Sequence, residues 1–156
     1  MMSKTNAVRI LDSHNIHYTL HTYDVDENDL SGTSVASKID ADTDSVFKTL
    51  VASGDKNGTI VFCIPVSEEL NLKKAALASE NKKIELVKVK DLLNLTGYIR
   101  GGCSPIGMKK KYPVYIDETA NLFDEIYVSA GVRGMQIKLS PADLVALTEA
   151  RVNDLI

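Results

Sequence analysis

The sequence predicts a single α+β domain built around a mixed β-sheet, and three observations lead there. Helical and extended patterns intermix along the chain without a strict strand–helix–strand rhythm. A hairpin pattern occupies the centre. No GxGxxG or GxxxxGK[ST] loop opens a helix, so neither a dinucleotide fold nor a phosphate-loop fold is indicated. At 156 residues the chain fits one domain, residues 1–156, long enough to bury a substantial core. Its 44% hydrophobic and 25% charged content excludes a disordered chain.

Local chemistry places the elements in order. Ala7, Ile10, Leu11 and His14 recur at helical spacing and predict a helix over Ser3–His14. A strand follows at Tyr18–Tyr23, and the acidic stretch Asp24–Leu30 reads as loop. Thr33 is positioned to cap a short helix carrying Val35, Ala36 and Ile39. Val46–Ala52 and Thr59–Ile64 form the hairpin around a turn at Ser53–Gly58. The near-continuous apolar run Ile60–Ile64 implies a strand covered on both faces. Asn71 caps a helix through Ala78, and the basic strand Lys83–Val87 comes next. A helix through Leu92 and Leu93 stops at Gly97, where positive φ is needed. Strands are predicted at Val114–Ile116, Glu125–Ser129 and Met135–Leu139. The last helix begins with Ser140 as cap, Pro141 in its first position and Asp143 in its third.

Charge is unevenly distributed. From Lys73 to Lys111 there are ten Lys and Arg against three Asp and Glu; the rest of the chain holds eight basic and eighteen acidic residues. That basic region can meet a phosphate backbone, or can simply solvate helix and strand surfaces. Cys63 and Cys103 lack CxxC spacing, so no metal framework follows. Cys63 reads as a buried, inert thiol, and Cys103, in a glycine-rich stretch, as exposed. His14, His17 and His21 read as surface or core-edge residues. Residues Met1–Ile10 lack a signal-type apolar run, and no stretch is long enough for a spanning helix. A cytoplasmic protein without a membrane partner is expected.

Three segments carry candidate chemistry. Lys48 shares a strand face with Val46 and Leu50, so it either snorkels from an edge or faces a cavity whose ligand supplies negative charge. Thr96–Gly107 holds four glycines and a proline, a backbone suited to presenting N–H groups to one oxygen, with Tyr98 offering an aromatic face. In Tyr127–Gly134, Ser129 ends a strand before a glycine turn; it has no visible base partner and does not read as a nucleophile.

These segments resemble, in order and across nearly the whole chain, the YbaK/EbsC family. The matching residues are His21-Thr22-Tyr23, Val46-Phe47-Lys48-Thr49-Leu50 and Leu70-Asn71-Leu72-Lys73-Lys74, then Thr96-Gly97-Tyr98, Gly101-Gly102 and Ser104-Pro105. Gly107, Lys109-Lys110, Tyr127-Val128-Ser129 and Arg133-Gly134 complete the set. The resemblance implies the fold of bacterial prolyl-tRNA synthetase editing domains: a curved mixed sheet, partly closed as a barrel, with helices around it. It implies clearance of misacylated tRNA, foremost Cys-tRNA(Pro), with Lys48 as the residue activity depends on. Tyr23, Thr49, Tyr98, Gly101, Gly102 and Ser129 are then the substrate-binding residues. No cofactor or metal is implied. The implied partners are the aminoacylated 3′ end of tRNA(Pro) and prolyl-tRNA synthetase, not DNA. Relatives often carry an acidic residue where this chain has Gln136. Other readings are a deacylase for a different small aminoacyl ester such as Ala-tRNA(Pro), or a nucleotide- or RNA-binding regulatory module without turnover.

Overall fold

The computed structural model describes residues 4–156. Thirteen helices and strands alternate irregularly: α1 (Asn6–Ser13), β1 (Tyr18–Thr22), α2 (Gly32–Lys38), β2 (Phe47–Gly54), β3 (Gly58–Pro65), α3 (Leu72–Ala78), β4 (Ile84–Leu86), α4 (Val89–Thr96), β5 (Val114–Asp117), β6 (Ile126–Ser129), β7 (Met135–Leu139), α5 (Pro141–Thr148) and β8 (Arg151–Asn153). A 3₁₀ turn at Glu118–Leu122 follows β5.

The caps follow the expected chemistry at three helices. Asn71 accepts the N–H groups of Lys73 and Lys74 at the head of α3. Ser140 accepts from Asp143 N–H with Pro141 beside it, and Gly97 ends α4 at φ 84°. Two helices differ from expectation. Ser31, not Thr33, caps α2 by accepting from Ser34 N–H. The start proposed for the first helix, Ser3, lies outside the described residues; α1 is capped by Thr5 and buries Ala7, Val8 and Leu11, while His14 is exposed.

The strands form two sheets, one ordered β1-β7-β6 and the other β4-β2-β3-β5-β8. The first is antiparallel; the second is mixed, because β5 runs parallel to both β3 and β8. A single parallel bridge, Val46 to Tyr127, links the two. Among the described residues no closed barrel forms. β3 is the central strand, and its Ile60, Val61, Phe62, Cys63 and Ile64 are all fully buried. Val61 and Cys63 face one core with Phe47, Ile116, Ile137 and Leu144; Ile60, Phe62 and Ile64 face a second under α3. The period-2 alternation of a strand thus explains why this run has no polar face. Phe62 stacks on Tyr115 with ring centroids 5.6 Å apart. Asp117, fully buried, accepts from Thr119 N–H and Oγ1 and from Leu155 N–H, fastening the C-terminal segment to β5.

One irregularity positions the site. β4 pairs with β2 only at Ala52, Ser53 and Gly54, with one more bond from Val87 N–H to Val51 O. Just before the other end of β2, Val46 makes the one bridge that joins this strand to β6. Between these anchors the edge of β2 has no strand partner, and the sheets splay apart there. Since Val51 turns its carbonyl to this edge, Thr49, two residues earlier, turns its own N–H and C=O the same way.

Candidate active site

The splay opens a cavity of about 330 Å³ along the unpaired part of β2. Residues 46–51 form its floor. Leu30, Gly32 and Val35 border one side, and Leu86–Val89 with Leu92 the other. Arg100, Gly101 and Cys103 come from the loop after α4, and Ser129 and Gln136 from β6 and β7. The structure therefore brings together Lys48, Thr49, Gly101 and Ser129, four of the residues singled out from sequence.

Lys48 sits in the middle of the floor, half-buried. Burial depresses its ammonium below the usual lysine value, and the carboxylates of Glu69 and Glu68 oppose that shift. Among the described residues Lys88 and Arg100 are the other charged side chains on the cavity border, and no carboxylate lines it. The site is thus built to receive negative charge.

The glycine-rich loop is fixed in place by packing. Arg133 Nε donates to Arg100 O at 2.8 Å, tying the loop to the turn after β6. A Cβ on Gly102 would lie 3.2 Å from the backbone of Val132 and Arg133. At Gly131, with φ 103°, a Cβ would sit 2.9 Å from the ring of Tyr98. Ser129 Oγ accepts from Gly131 N–H at 3.1 Å, which leaves its hydroxyl proton to donate.

Three expected binding residues lie elsewhere. Tyr98 does not border the cavity; its hydroxyl donates to Ile106 O at 2.5 Å and its ring supports Gly131. Burial, with a contribution from Cys103, pushes its phenol up to about 12. Gly102 is buried, and its N–H already donates to Ile99 O at 3.0 Å, so it has none to offer a ligand. Tyr23 borders a separate surface hollow with Asp24, Asp26 and Lys38. Its ring lies under the Lys38 ammonium, 5.9 Å away, and its N–H donates to Gly134 O.

Cys103 is buried, against the exposed position expected from its glycine-rich surroundings, because the loop packs against residues 129–134. Burial pushes its thiol up to about 12, opposed by a hydrogen bond with Thr96. Cys63 is likewise pushed up to about 12 by burial, opposed by Thr49. Neither supplies a thiolate at neutral pH.

Sequence reasoning gave no structural role to Gln136. It is 6% exposed, and its Oε1 is enclosed with no hydrogen-bond partner among the described residues. Such an acceptor costs about 1–3 kcal/mol. Its place is set by the register of β7 between Ser129, its partner in the β6–β7 hairpin, and His21, a non-local partner.

Residues 31–147 match the family model of the aminoacyl-tRNA editing domain. EbsC of Enterococcus faecalis, named as a candidate Cys-tRNA(Pro)/Cys-tRNA(Cys) deacylase, is 49% identical over 148 residues, covering 95% of this chain and 90% of its own. An uncharacterised Bacillus subtilis protein, YwhH, is 24% identical over 132 residues, 83% of each chain. Among solved structures, a candidate trans-editing enzyme for prolyl-tRNA synthetase superposes with a TM-score of 0.81 at 24% identity over 98% of both chains. A hypothetical protein superposes at 0.85 with 20% identity, over 95% of this chain and 97% of its own. These two likenesses carry the fold.

Proposed function

The chain belongs to the aminoacyl-tRNA editing domain family, and from that premise we propose that it is a deacylase that clears Cys-tRNA(Pro) in trans. The observation that carries this reading is the cavity at the open edge of β2, where Lys48, Thr49, Gly101 and Ser129 meet around a largely apolar space whose charged border residues are cations.

The chemistry needs no enzyme nucleophile. The cysteinyl ester brings its own thiol. Attack by that sulfur on the ester carbonyl forms an S–C bond and closes a four-membered ring bearing an oxyanion, which collapses to the thiolactone. The C–O bond to the ribose breaks in that collapse, and the departing oxygen takes a proton equivalent to the one the thiol gave up. The protein holds sulfur and carbonyl at attacking distance and stabilises the developing oxyanion. Lys48 supplies the positive charge. The Ser129 hydroxyl and the Thr49 N–H are the donors turned to the space, and Gly101 allows the substrate a close approach. Lys88 and Arg100 at the border are suited to the phosphates of the tRNA 3′ end. The editing partner of such a protein is then prolyl-tRNA synthetase, which generates the misacylated substrate.

The test is a panel of misacylated tRNA(Pro) species with single-turnover rates and product analysis by thin-layer chromatography. Cys-tRNA(Pro) should yield the thiolactone or its hydrolysis product. Ser-tRNA(Pro) should react on the order of a thousandfold more slowly, because a hydroxyl is a far weaker nucleophile than a thiol. Comparable rates for cysteine, serine and alanine would replace the self-cyclisation route with attack by water. No release from any of them would reduce the protein to a binding module.

A further inference from the structure

The cavity contains a polar group that the proposed chemistry leaves unused. Gln136 borders it from β7, and its Oε1 is the one buried side-chain nitrogen or oxygen without a hydrogen-bond partner among the described residues. Neither of its strand neighbours is hydrogen-bonded to it. Ser129 Oγ accepts from Gly131 N–H, and His21 Nε2 lies 3.0 Å from Thr19 Oγ1. A buried acceptor of this kind calls for a donor, and no described residue hydrogen-bonds to it.

The surrounding charges restrict what that donor is. Among the described residues the charged groups on the cavity border are Lys48, Lys88 and Arg100, with Glu69 and Glu68 acting on Lys48 from outside it, so the border is rich in donors and poor in acceptors. An aminoacyl ester carries one strong donor, its α-ammonium, while its carbonyl and ester oxygens accept. The ammonium is repelled by the three cations and needs a wall oxygen. Resting on the editing reading, we propose that Gln136 is a specificity-determining residue whose side-chain carbonyl receives the α-ammonium of the aminoacyl group. Because an amide is neutral, it accepts without cancelling the positive field that acts on the reacting carbonyl. Holding the ammonium fixes the substrate Cα and leaves its carbonyl to face Lys48 and Ser129.

Two stable mimics of the tRNA 3′ end test this. One is 3′-deoxyadenosine carrying a 3′-cysteinylamide; the other carries a 3′-(3-mercaptopropionyl)amide, identical but lacking the amine. Each is titrated calorimetrically into the full chain as wild type, Gln136→Met and Gln136→Glu. The wild type should prefer the amine-bearing mimic by about ten- to a hundredfold, the range for a hydrogen bond to a charged group. Gln136→Met should erase the preference while binding the amine-free mimic as the wild type does, with an unchanged or higher melting temperature. Gln136→Glu should restore the preference. A Gln136→Met chain that keeps the preference, or weakens both mimics equally, overturns the assignment. Wild-type deacylation of Cys-tRNA(Pro), measured alongside, separates that failure from loss of the editing reading: turnover with an unaltered amine preference sinks only the role of Gln136. Absence of both turnover and mimic binding sinks the two together.

Discussion

Replacing Lys48 by methionine keeps a chain of similar length and removes the charge. The expected loss follows from where the ammonium sits. Two unit charges about 4 Å apart interact by roughly 1 kcal/mol in water and about 4 kcal/mol at the effective dielectric near a protein surface. A half-buried lysine on a cavity floor lies between these limits. An attraction of about 2–3 kcal/mol to the developing oxyanion corresponds to a rate loss of about 30- to 160-fold. The fold should not suffer. Burial disfavours the charged form by more than Glu69 and Glu68 restore, so removing the charge leaves the melting temperature unchanged or raises it. The assay is single-turnover deacylation of Cys-tRNA(Pro) with enzyme in excess, paired with a thermal melt. A loss below about threefold would remove Lys48 from the chemistry, given that each tenfold step is about 1.4 kcal/mol. A large rate loss with a parallel fall in melting temperature would make it a structural residue.

Two further outcomes are expected. The Lys48 ammonium titrates below its ordinary value of 10.5, so the Lys48-dependent part of mimic binding should fade as pH rises through that lowered pKa. Its effect on stability has the opposite sign, because the unfolded chain binds this proton more tightly and the fold gains as pH rises. Wild-type and Lys48→Met binding curves should therefore converge at alkaline pH, before an unperturbed lysine would lose its proton; parallel curves would contradict this. Gly131→Ala should destabilise the protein by about 1–3 kcal/mol in urea unfolding, since a Cβ at φ 103° would lie 2.9 Å from the Tyr98 ring. An unshifted midpoint would show that the two loops do not bear on each other.

What was legible in the sequence is what local chemistry decides. Asn71, Gly97 and Ser140 announce their helix ends because a cap needs only its own neighbours. The hairpin and the doubly covered run Ile60–Ile64 are equally local. Ser31 displaced Thr33 because several hydroxyls compete in one short stretch, and Ser31, in extended backbone, is the one whose oxygen reaches Ser34 N–H. β8 escaped notice because three residues carry little pattern and their pairing to β5 is parallel and remote. Lys48 stood out at once as a charge within a strand, but its cavity did not. That space exists because β4 ends its ladder at Ala52 while backbone pairing to β6 is a single bridge at Val46, facts held in no single segment. Tyr98 and Tyr23 were attractive as aromatic rings, yet the phenol of one is committed to Ile106 O and the other stacks beneath Lys38. The unpaired amide of Gln136 was beyond reach for the same reason as the cavity itself.

The interrupted ladder along β2 also gives the molecule a built-in reporter. Thr49 lies within a strand flanked on one side by β3, yet its amide proton points into space that only a visitor can fill. Isotope exchange at that position should outpace exchange at Leu50 and Ala52, whose protons are tied into the hairpin. Occupation of the hollow should slow it without any rearrangement of the backbone. A single nitrogen-15 resonance would then read out residence at the centre of the protein, with no label attached to the guest.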